Sequence, residues 1–395
     1  MAMNDPFYQL LLPQKVIYGR RVFEQLGELG ASLGTKALVV SDPVMEQSGL
    51  VAQCVSLLAR ASVGSAVYTG VKHEPTDEFV DEGLSLCRAE GCDFVVAVGG
   101  GSCIDTAKAV AVMMRNDGYI GDYMGGKKRF LHKPLPLIAV PTTAGTGSEV
   151  TKVTVITDSR NDVKMMISQP ELLPAIALVD PMLTVSCPPS VTAATGIDAL
   201  CHAVEAHISR RAHPATDALA LGAIRHIWES LPAAYRDGSD EEAREKMAVG
   251  AMMAGIAFSN ASVTLVHGMS RPVGALFHVP HGLSNAMLLP AVLEFTRPAA
   301  AGRYADIGKL IRPDLTGLSG DEWADLLVAE VKRLCAQLKI PNLQGWGIDR
   351  EKFENALPKM AADALASGSP GNNPRVPDAD EIMQLYRICY DYRFA

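Results

Sequence analysis

The sequence predicts an α/β N-terminal domain with a mostly parallel sheet, followed by an all-α C-terminal domain. Short apolar runs alternate with helical stretches in the first half, and helical periodicity continues almost throughout the second half. Alternation of this kind is typical of βαβ units. We place the boundary just before the double proline Pro188-Pro189, which gives domains 1–187 and 188–395.

The predicted strands are apolar runs that end at turn residues, as expected for buried parallel strands. They cover residues 16–19, 37–41, 93–98 and 135–140. Residues 153–157 and 163–167 flank a polar stretch and predict a β-hairpin. Ser190 is a plausible N-cap for the first predicted helix of the second half. The helices predicted there cover residues 190–209, 215–229, 241–260, 262–277, 322–338, 350–366 and 378–391.

Two loops rich in glycine and hydroxyl side chains follow successive predicted strands. The candidate contacts in the first loop and its following helix are Gly99, Gly100, Gly101, Ser102 and Asp105. Those in the second loop are Thr142, Thr143, Thr146 and Ser148. Glycines allow a ligand close to the backbone, and a helix N-terminus offers free N–H groups to an anion. One such loop alone is explained equally well by a tight turn and by nucleotide binding, but two at successive strand ends favour a bound nucleotide. The standard GxGxxG fingerprint of dinucleotide-binding folds is absent.

Three further residues are candidate cofactor contacts. Asp42 closes the strand 37–41, where a carboxylate would accept hydrogen bonds from an adenosine ribose and repel a 2′-phosphate, favouring NAD over NADP. The alternative for Asp42 is an ordinary Asp-Pro turn. Lys164 lies on the return strand of the hairpin and would reach the cofactor, unless it is a solvated lysine. Leu183 is the third candidate.

Composition excludes several classes of function. The net charge is −8 without basic clusters, which argues against a nucleic-acid partner. The sequence contains no run of eighteen apolar residues and no basic start before an apolar core, so we expect neither a membrane span nor a signal peptide. The eight cysteines are scattered without CxxC spacing, which is typical of buried thiols in a reducing cytoplasm, the predicted location.

Four side chains in the second half have the chemistry of a metal site. Asp198 and His202 are four residues apart on a predicted helix, so they point the same way from successive turns. With His267 and His281 they offer one oxygen and three nitrogens to a divalent cation. Each histidine alone is better explained as a core or helix-end residue, and the Asp198–His202 pair alone as a capping or bridging pair within a helix. Zinc with four protein ligands is usually structural, whereas iron(II) accepts a further ligand, so that a bound alcohol would become acidic and transfer hydride to a nicotinamide.

The glycine loop and the segments 141–151, 195–206 and 267–290 resemble the signatures of the iron-containing (group III) alcohol dehydrogenases. The resemblance covers nearly the whole chain and implies a dehydroquinate synthase-like architecture. NAD and Fe2+, with Zn2+ as the alternative metal, would then occupy a cleft between a dinucleotide-binding domain and a helical domain. The resemblance also implies a homodimer or larger homo-oligomer. The pyrophosphate of NAD would lie on residues 99–102 beside the threonine loop, and Asp42 would select NAD over NADP. The iron ligands it implies are Asp198, His202, His267 and His281.

Arg271 departs from the family pattern, because many relatives have a histidine four residues after the first of the two late metal histidines. Helical spacing would point Arg271 toward the same cleft as His267. Either it pairs with a carboxylate or carbonyl, or it favours polar or anionic aldehydes and alcohols through charge-assisted hydrogen bonds. For proton release we consider water, ribose hydroxyls or the nearby His278.

The sequence therefore predicts an NAD- and iron-dependent dehydrogenase acting on a small primary alcohol or the matching aldehyde. One alternative is a related reductase of a carboxylated carbonyl compound, such as a keto-acid or a semialdehyde acid. Another is a non-catalytic nucleotide- or metal-binding protein on the same scaffold, which the complete ligand set disfavours.

Overall fold

The computed structural model describes residues 8–394, so residues 1–7 and Ala395, at the ends of the two predicted domains, lie outside the described residues. The predicted absence of a signal peptide falls partly on residues 1–7. The strands are β1 (Lys15–Tyr18), β2 (Lys36–Val40), β3 (Gly64–Tyr68), β4 (Phe94–Gly99), β5 (Leu137–Pro141), β6 (Val153–Asp158), β7 (Val163–Ser168) and β8 (Ile176–Val179). Six of them form one parallel sheet in the order β1-β8-β5-β4-β2-β3, and β6 and β7 form an antiparallel hairpin.

Helices cover both faces of the sheet and make up the second half. They are α1 (Leu26–Ala31), α2 (Pro43–Gln47), α3 (Leu50–Arg60), α4 (Asp77–Ala89), α5 (Gly101–Met113), α6 (Pro189–Ile208), α7 (Pro214–Arg236), α8 (Glu241–Ala261), α9 (Leu265–Phe277), α10 (His281–Ile311), α11 (Gly320–Gln337), α12 (Arg350–Ala366) and α13 (Ala379–Tyr390). Side chains of α1 and α3 pack on one face of the sheet, and those of α4 and α5 pack on the other. The α/β fold followed by a helical bundle confirms the predicted fold class.

The central strands form because their residues are apolar on both faces. Every residue of β4 and β5 is buried, and so are four of the five in β2. Strands covered by helices on both sides need this continuous apolar pattern rather than alternation. The predicted strands and hairpin therefore match observed ones, whereas β3 and β8 were not predicted.

The strand order creates a binding crevice between β2 and β4. From β2 the chain moves outward to β3, while from β4 it moves the other way to β5, so the loops after β2 and β4 diverge. Ligands of open α/β sheets bind at such a switch point, outside the carboxyl ends of the strands. The loop after β2 contains Asp42 and the loop after β4 contains Gly100, which places both predicted cofactor segments at this crevice.

In the second half, α6 runs through the centre of the helical bundle. Residues 196–208 of α6 are all buried, against α7, α8 and α10. A helix surrounded in this way is apolar on all sides, so the charged side chains it carries stand out. The long helix α10 was not predicted. The sheet ends at Val179 and α6 begins at Pro189; the exact domain boundary at 187/188 stays a prediction.

Among residues 8–394, no single helix is both long and apolar enough to cross a membrane. Taken as a pair, α8 and α9 pass the same test of length and composition, but they are bent by 102° at their junction.

Candidate metal and cofactor site

Asp198, His202, His267 and His281 converge at one point of the helical half. Their donor atoms all lie within 4.8 Å of one another. The Asp198 carboxylate is central, because its oxygens lie 3.5 Å from His267 Nε2, 3.9 Å from His281 Nε2 and 3.9 Å from His202 Nδ1. Two of the four project from successive turns of α6, one comes from α9, and one begins α10. The donor set suits a divalent cation.

Burial and mutual attraction set the protonation of this group. Burial lowers the pKa of His202 to about 3 and that of His281 to about 4, so both imidazoles are neutral at pH 7. Burial alone would raise the pKa of Asp198, but the three histidines lower it well below its usual range. Nδ1 of His202 is buried without a hydrogen-bond partner among the described residues, a costly arrangement unless the nitrogen binds a ligand.

Glu205 orients His267 and was missed by the sequence analysis. Its carboxylate lies 2.5 Å from His267 Nδ1, and it accepts hydrogen bonds from Thr264 Oγ1 at 2.8 Å and from Val266 N at 2.7 Å. Burial opposes protonation of His267, but the carboxylates of Glu205 and Asp198 together outweigh it and raise the histidine's pKa. A carboxylate at one ring nitrogen fixes the tautomer and turns the other nitrogen toward a metal. The signal was present, since Glu205 lies seven residues after Asp198 on the same side of α6.

Asn285 is a second residue that the sequence analysis missed. It is fully buried on α10, one turn after His281. Its Nδ2 donates to Asp198 Oδ1 at 2.7 Å and lies 3.0 Å from His267 Nε2 and 3.3 Å from His281 Nε2. The amide therefore contacts three of the four converging side chains.

A cavity of about 1120 Å³ joins this cluster to the crevice at the sheet. His202, His267 and His281 line it from the helical half. The predicted cofactor residues that line it from the sheet half are Gly100, Gly101, Ser102, Asp105, Thr143, Thr146, Ser148 and Lys164. The structure thus brings most of the glycine and threonine loops and the metal-type cluster onto one internal space.

Four predicted cofactor residues do not line the cavity. Gly99 lies beneath the glycine loop, at φ +157°, and Asp42 lies beside it as the N-cap of α2, accepting hydrogen bonds from Val44 N and Met45 N. Thr142 is buried, and its N–H donates to the Gly99 carbonyl. Leu183 packs against the apolar core of the sheet. His278 is likewise outside the lining: it is an exposed residue that ends α9 in the left-handed region at φ 54°.

Lys164 and Asp105 line the cavity but are already engaged. Lys164 is buried rather than solvated, and its Nζ bonds Glu74 Oε2 at 2.7 Å. Glu74 Oε1 in turn accepts from the backbone N–H of His281 at 3.1 Å. Asp105 accepts from Ser148 Oγ at 2.5 Å and from Val155 N at 2.8 Å. These contacts hold the hairpin and the threonine loop in place around the cavity.

The threonine loop touches the helical half through glycines. A Cβ on Gly145 would meet Thr195 Cβ at 2.6 Å, and one on Gly147 would meet the Gly255 Cα at 2.5 Å. Gly147 also has φ +61°, which favours glycine. The close approach fixes the loop against α6 and α8, so the two sides of the cavity are in direct contact.

Comparison with known proteins identifies the family. Residues 13–181 match the family "Iron-containing alcohol dehydrogenase", and residues 192–390 match the C-terminal region of the Fe-containing alcohol dehydrogenase family. The chain belongs to the iron-containing alcohol dehydrogenases. The resemblance noted in the sequence is thereby confirmed.

Individual relatives agree with this iron-containing alcohol dehydrogenase assignment over nearly the full length. A long-chain-alcohol dehydrogenase of Geobacillus thermodenitrificans is 42% identical, with 90% of each chain covered. An NAD-dependent methanol dehydrogenase of Bacillus methanolicus is 37% identical over 95% of this chain and 98% of the relative. The crystal structure of a 1,3-propanediol oxidoreductase superimposes with a TM-score of 0.93 at 38% identity, covering 98% of this chain and 100% of the other.

The chain is therefore an oxidoreductase, an alcohol dehydrogenase/aldehyde reductase whose cofactors are those of the family, ferrous iron and NAD. The residues present fit an iron ion. One carboxylate and three imidazoles converge, and His202 Nδ1 is buried without a partner among residues 8–394. The charge of the carboxylate offsets part of that of a divalent ion.

Proposed function

We propose that Asp198, His202, His267 and His281 hold the ferrous ion, and that NAD lies across the cavity with its pyrophosphate on residues 99–102. Four donor groups converge, and the three histidines among them line the same cavity as the glycine loop, which carries this proposal. The substrate is a small primary alcohol or the matching aldehyde, bound between the two.

The protein's own residues position and shield the reacting groups. When bound, the ferrous ion supplies Lewis-acid chemistry, which acidifies an alcohol and polarises a carbonyl. Glu205 holds the His267 ring, and Asn285 orients Asp198 by donating to its Oδ1. Phe258 stacks on His202 with ring centroids 4.1 Å apart and an interplanar angle of 14°, which keeps water from that face. His278 is exposed outside the cavity lining, so it is not placed to accept the proton of the alcohol, which would pass to water or to the ribose hydroxyls instead.

The glycine loop supplies the pyrophosphate site through its backbone. Gly101 begins α5, so the free N–H groups of its first turn face the loop side of the cavity. A Cβ on Gly101 would meet Thr146 Cγ2 at 2.7 Å, so the two loops approach each other as closely as glycine permits. With NAD bound, Thr143, Thr146 and Ser148 would contact the ribose and nicotinamide, and Lys164 would lie on the side of His281, to which Glu74 connects it.

The metal assignment is tested with two histidines of the same helix. His202→Asn should remove stoichiometric iron and NADH formation from primary alcohols. His207→Asn is the matched control, because His207 is also buried on α6 but lies near Asp217 and Asp306 instead. Metal analysis and turnover are measured on iron-reconstituted protein. Full iron content and turnover in His202→Asn would contradict the proposal.

We propose NAD over NADP because Asp42 lies at the crevice. Its Oδ2 faces Cys103 Sγ at 3.4 Å and lies close to Gly99, next to the pyrophosphate loop. A carboxylate there repels a 2′-phosphate. Asp42→Ser should keep the helix N-cap while raising kcat/KM for NADPH relative to NADH several-fold. An unchanged ratio would remove Asp42 from cofactor selection.

We also propose a cytoplasmic homodimer or larger homo-oligomer. The eight cysteines are all unpaired thiols, seven of them buried, as suits a reducing compartment. Strand β1 is an edge of the sheet with the exposed Tyr18 on it, and exposed Leu10 and Leu12 precede it. An edge of this kind pairs readily with another chain. Light scattering on the purified protein measures the assembly, and a monomer at micromolar concentration would contradict the proposal.

A further inference from the structure

Arg271 is a buried cation in the wall of the cavity. It lies four residues after His267 on α9, so it projects from the same side of the helix one turn later. Only 7% of the residue is exposed, and it lines the cavity together with His267 and His281. The guanidinium is therefore out of bulk water but beside the space in which the substrate binds.

The guanidinium of Arg271 has few partners of its own. Nη1 donates to Ser369 Oγ at 3.1 Å, Nη2 faces the Met166 sulfur at 3.1 Å, and Nε has no hydrogen-bond partner. Across residues 8–394, no carboxylate oxygen lies within 4 Å of it, so the predicted structural pairing with a carboxylate or carbonyl is not observed. A thioether is a weak acceptor. Burial lowers the pKa of Arg271 to about 10, with Glu205 opposing the shift, so the group is still a cation at neutral pH.

Arg244, buried elsewhere in the same half, shows how a structural arginine is satisfied. Its Nε donates to the Gly238 carbonyl at 2.9 Å, Nη1 to Thr192 Oγ1 at 2.9 Å and Nη2 to the Cys187 carbonyl at 3.1 Å. All three nitrogens of that guanidinium have oxygen acceptors. Arg271 lacks this arrangement, and a buried charge without compensation destabilises a fold. Its free donors are better explained by a ligand that completes the site.

The cavity around Arg271 is positive although the chain has a net charge of −8. The charged residues that line it are the cations Lys152, Lys164, Arg211, Arg271 and Lys339 and the acids Glu74 and Asp105. Glu74 is occupied by Lys164, and Asp105 by Ser148 and Val155, so neither acid neutralises Arg271. A cleft with an excess of one charge concentrates ligands of the opposite charge.

We propose that Arg271 forms an anion subsite for the substrate, and that the preferred substrates are short aldehydes or alcohols with a terminal carboxylate or sulfonate. This inference rests on the proposed function for where the reacting carbon lies. Arg271 lies four residues after His267, a rise of about 6 Å along the helix axis, so a short substrate with an acid group a few carbons from the reacting carbon spans the two. A bidentate pair with a planar guanidinium orients such a substrate.

Matched aldehydes test the subsite by activity. We compare kcat/KM for 4-oxobutanoate and for its uncharged amide, 4-oxobutanamide, in the iron-loaded wild type, Arg271→Met, Arg271→Lys and Arg244→Met. The wild type should prefer the carboxylate. Arg271→Met should lose roughly 10- to 100-fold on the carboxylate and little on the amide, as expected for a charged hydrogen bond. Arg271→Lys should recover part of the preference, and Arg244→Met should keep it.

Binding provides a readout that does not need turnover. Calorimetry measures propane-1-sulfonate, a poor metal ligand, against propane-1-sulfonamide on the iron-loaded, NADH-bound protein. The sulfonate should bind the wild type and not Arg271→Met, while neither variant should bind the sulfonamide. Equal binding of sulfonate by wild type and Arg271→Met would overturn the subsite.

The two proposals fail separately. If neither aldehyde turns over but the sulfonate binds through Arg271, the subsite stands and the proposed function falls. If both aldehydes turn over with a ratio that Arg271→Met does not change, the dehydrogenase stands and the subsite is overturned. An Arg271→Met variant with raised KM for NADH and equal losses on both aldehydes would assign the arginine to the cofactor, which also overturns it.

Discussion

The two walls of the cavity are built in different ways. The glycine wall (residues 100–102 and 143–148) presents backbone groups and small side chains at the ends of β4 and β5. The histidine wall consists of the three histidines that line the cavity, His202, His267 and His281, together with Asp198, on which they converge, and its ionisable side chains come from three helices. A backbone site is disturbed mainly by added volume, and a side-chain site mainly by a lost donor atom. We therefore expect the glycine wall to be sensitive to substitutions that add volume, and the histidine wall to be sensitive to substitutions that remove a donor atom.

Each wall is also held from behind by buried charges. Behind the glycine wall, Lys108 of α5 donates to the Thr151 carbonyl at 2.9 Å and the Val153 carbonyl at 2.7 Å. Behind the histidine wall, Glu205 holds His267. The acid Glu205 on α6 therefore supports the histidine wall in the way that the base Lys108 on α5 supports the glycine wall. The comparison predicts that these supports act on one wall without changing the other.

The largest effect is expected for Asp198→Asn. The substitution keeps the shape but removes the only carboxylate among the four converging side chains. We expect iron affinity to fall by more than about 100-fold, which exceeds the effect of residues that only orient a ligand. The Kd for NADH should stay within a factor of about three, since the glycine wall is intact. Competition with a chelator and fluorescence titration of NADH measure the two constants; a loss of NADH affinity equal to that of iron would show that the walls are not independent.

Glu205→Gln should have the next largest effect. The amide fits the same space, but it no longer offers a charged acceptor to His267 Nδ1. We expect iron to bind roughly 10- to 100-fold more weakly, as is typical for the partner of a ligating histidine. The measurement is the rate of iron release to a chelator, with NADH affinity as the internal control. Iron release at the wild-type rate would show that Glu205 serves folding rather than the metal.

Gly101→Ala tests the glycine wall by adding volume. The new Cβ would meet Thr146 Cγ2 at 2.7 Å, so the two loops must separate. We expect NADH to bind roughly 10-fold more weakly, in line with the cost of overpacking, while iron content stays full. Thr146→Ser removes the methyl group that clashes and should restore part of the affinity in the double variant. Gly302→Ala, where a Cβ meets nothing within 4 Å, is the control.

Local pattern was enough to predict the central strands and the Asp198–His202 pair, because both depend on spacing within one element. Strand β3 was missed since its run Gly-Ser-Ala-Val-Tyr is short and half polar at an edge of the sheet. Helix α10 was missed because Pro290 and Pro298 within it are normally helix stops. It continues through them, with a non-helical residue only at Ala300.

The supports of the site depend on tertiary packing, which the sequence does not display. Asn285 could be assigned to the site only if α10 were known to begin at His281, because that helix places Asn285 one turn after the histidine. Arg271 could be assigned to the cleft from its spacing. The sequence could not show whether the guanidinium has a partner, because its contacts are with Ser369 and Met166, roughly 100 residues away in either direction. Packing places Asp42 and Gly99 beside and beneath the loop that lines the cavity, a position that the sequence does not display, so their contact with the cofactor stays a prediction.

The smallest predicted effect concerns Glu149, in the short 3-10 helix Ser148–Val150 at the end of the glycine wall. Burial raises its pKa from 4.5 to about 7, only partly opposed by Lys108. Between those values the folded protein binds a proton that the unfolded chain has released, so stability decreases as the pH rises from 4.5 toward 7 and then levels off. Glu149→Gln removes this dependence, so its Tm relative to wild type should rise by about a few degrees from pH 5 to pH 7.5. Glu242→Gln is the control, because the Glu242 side chain is 74% exposed. Parallel Tm–pH curves for Glu149→Gln and wild type would contradict the prediction, since they would mean that water reaches Glu149 and stabilises its charged carboxylate.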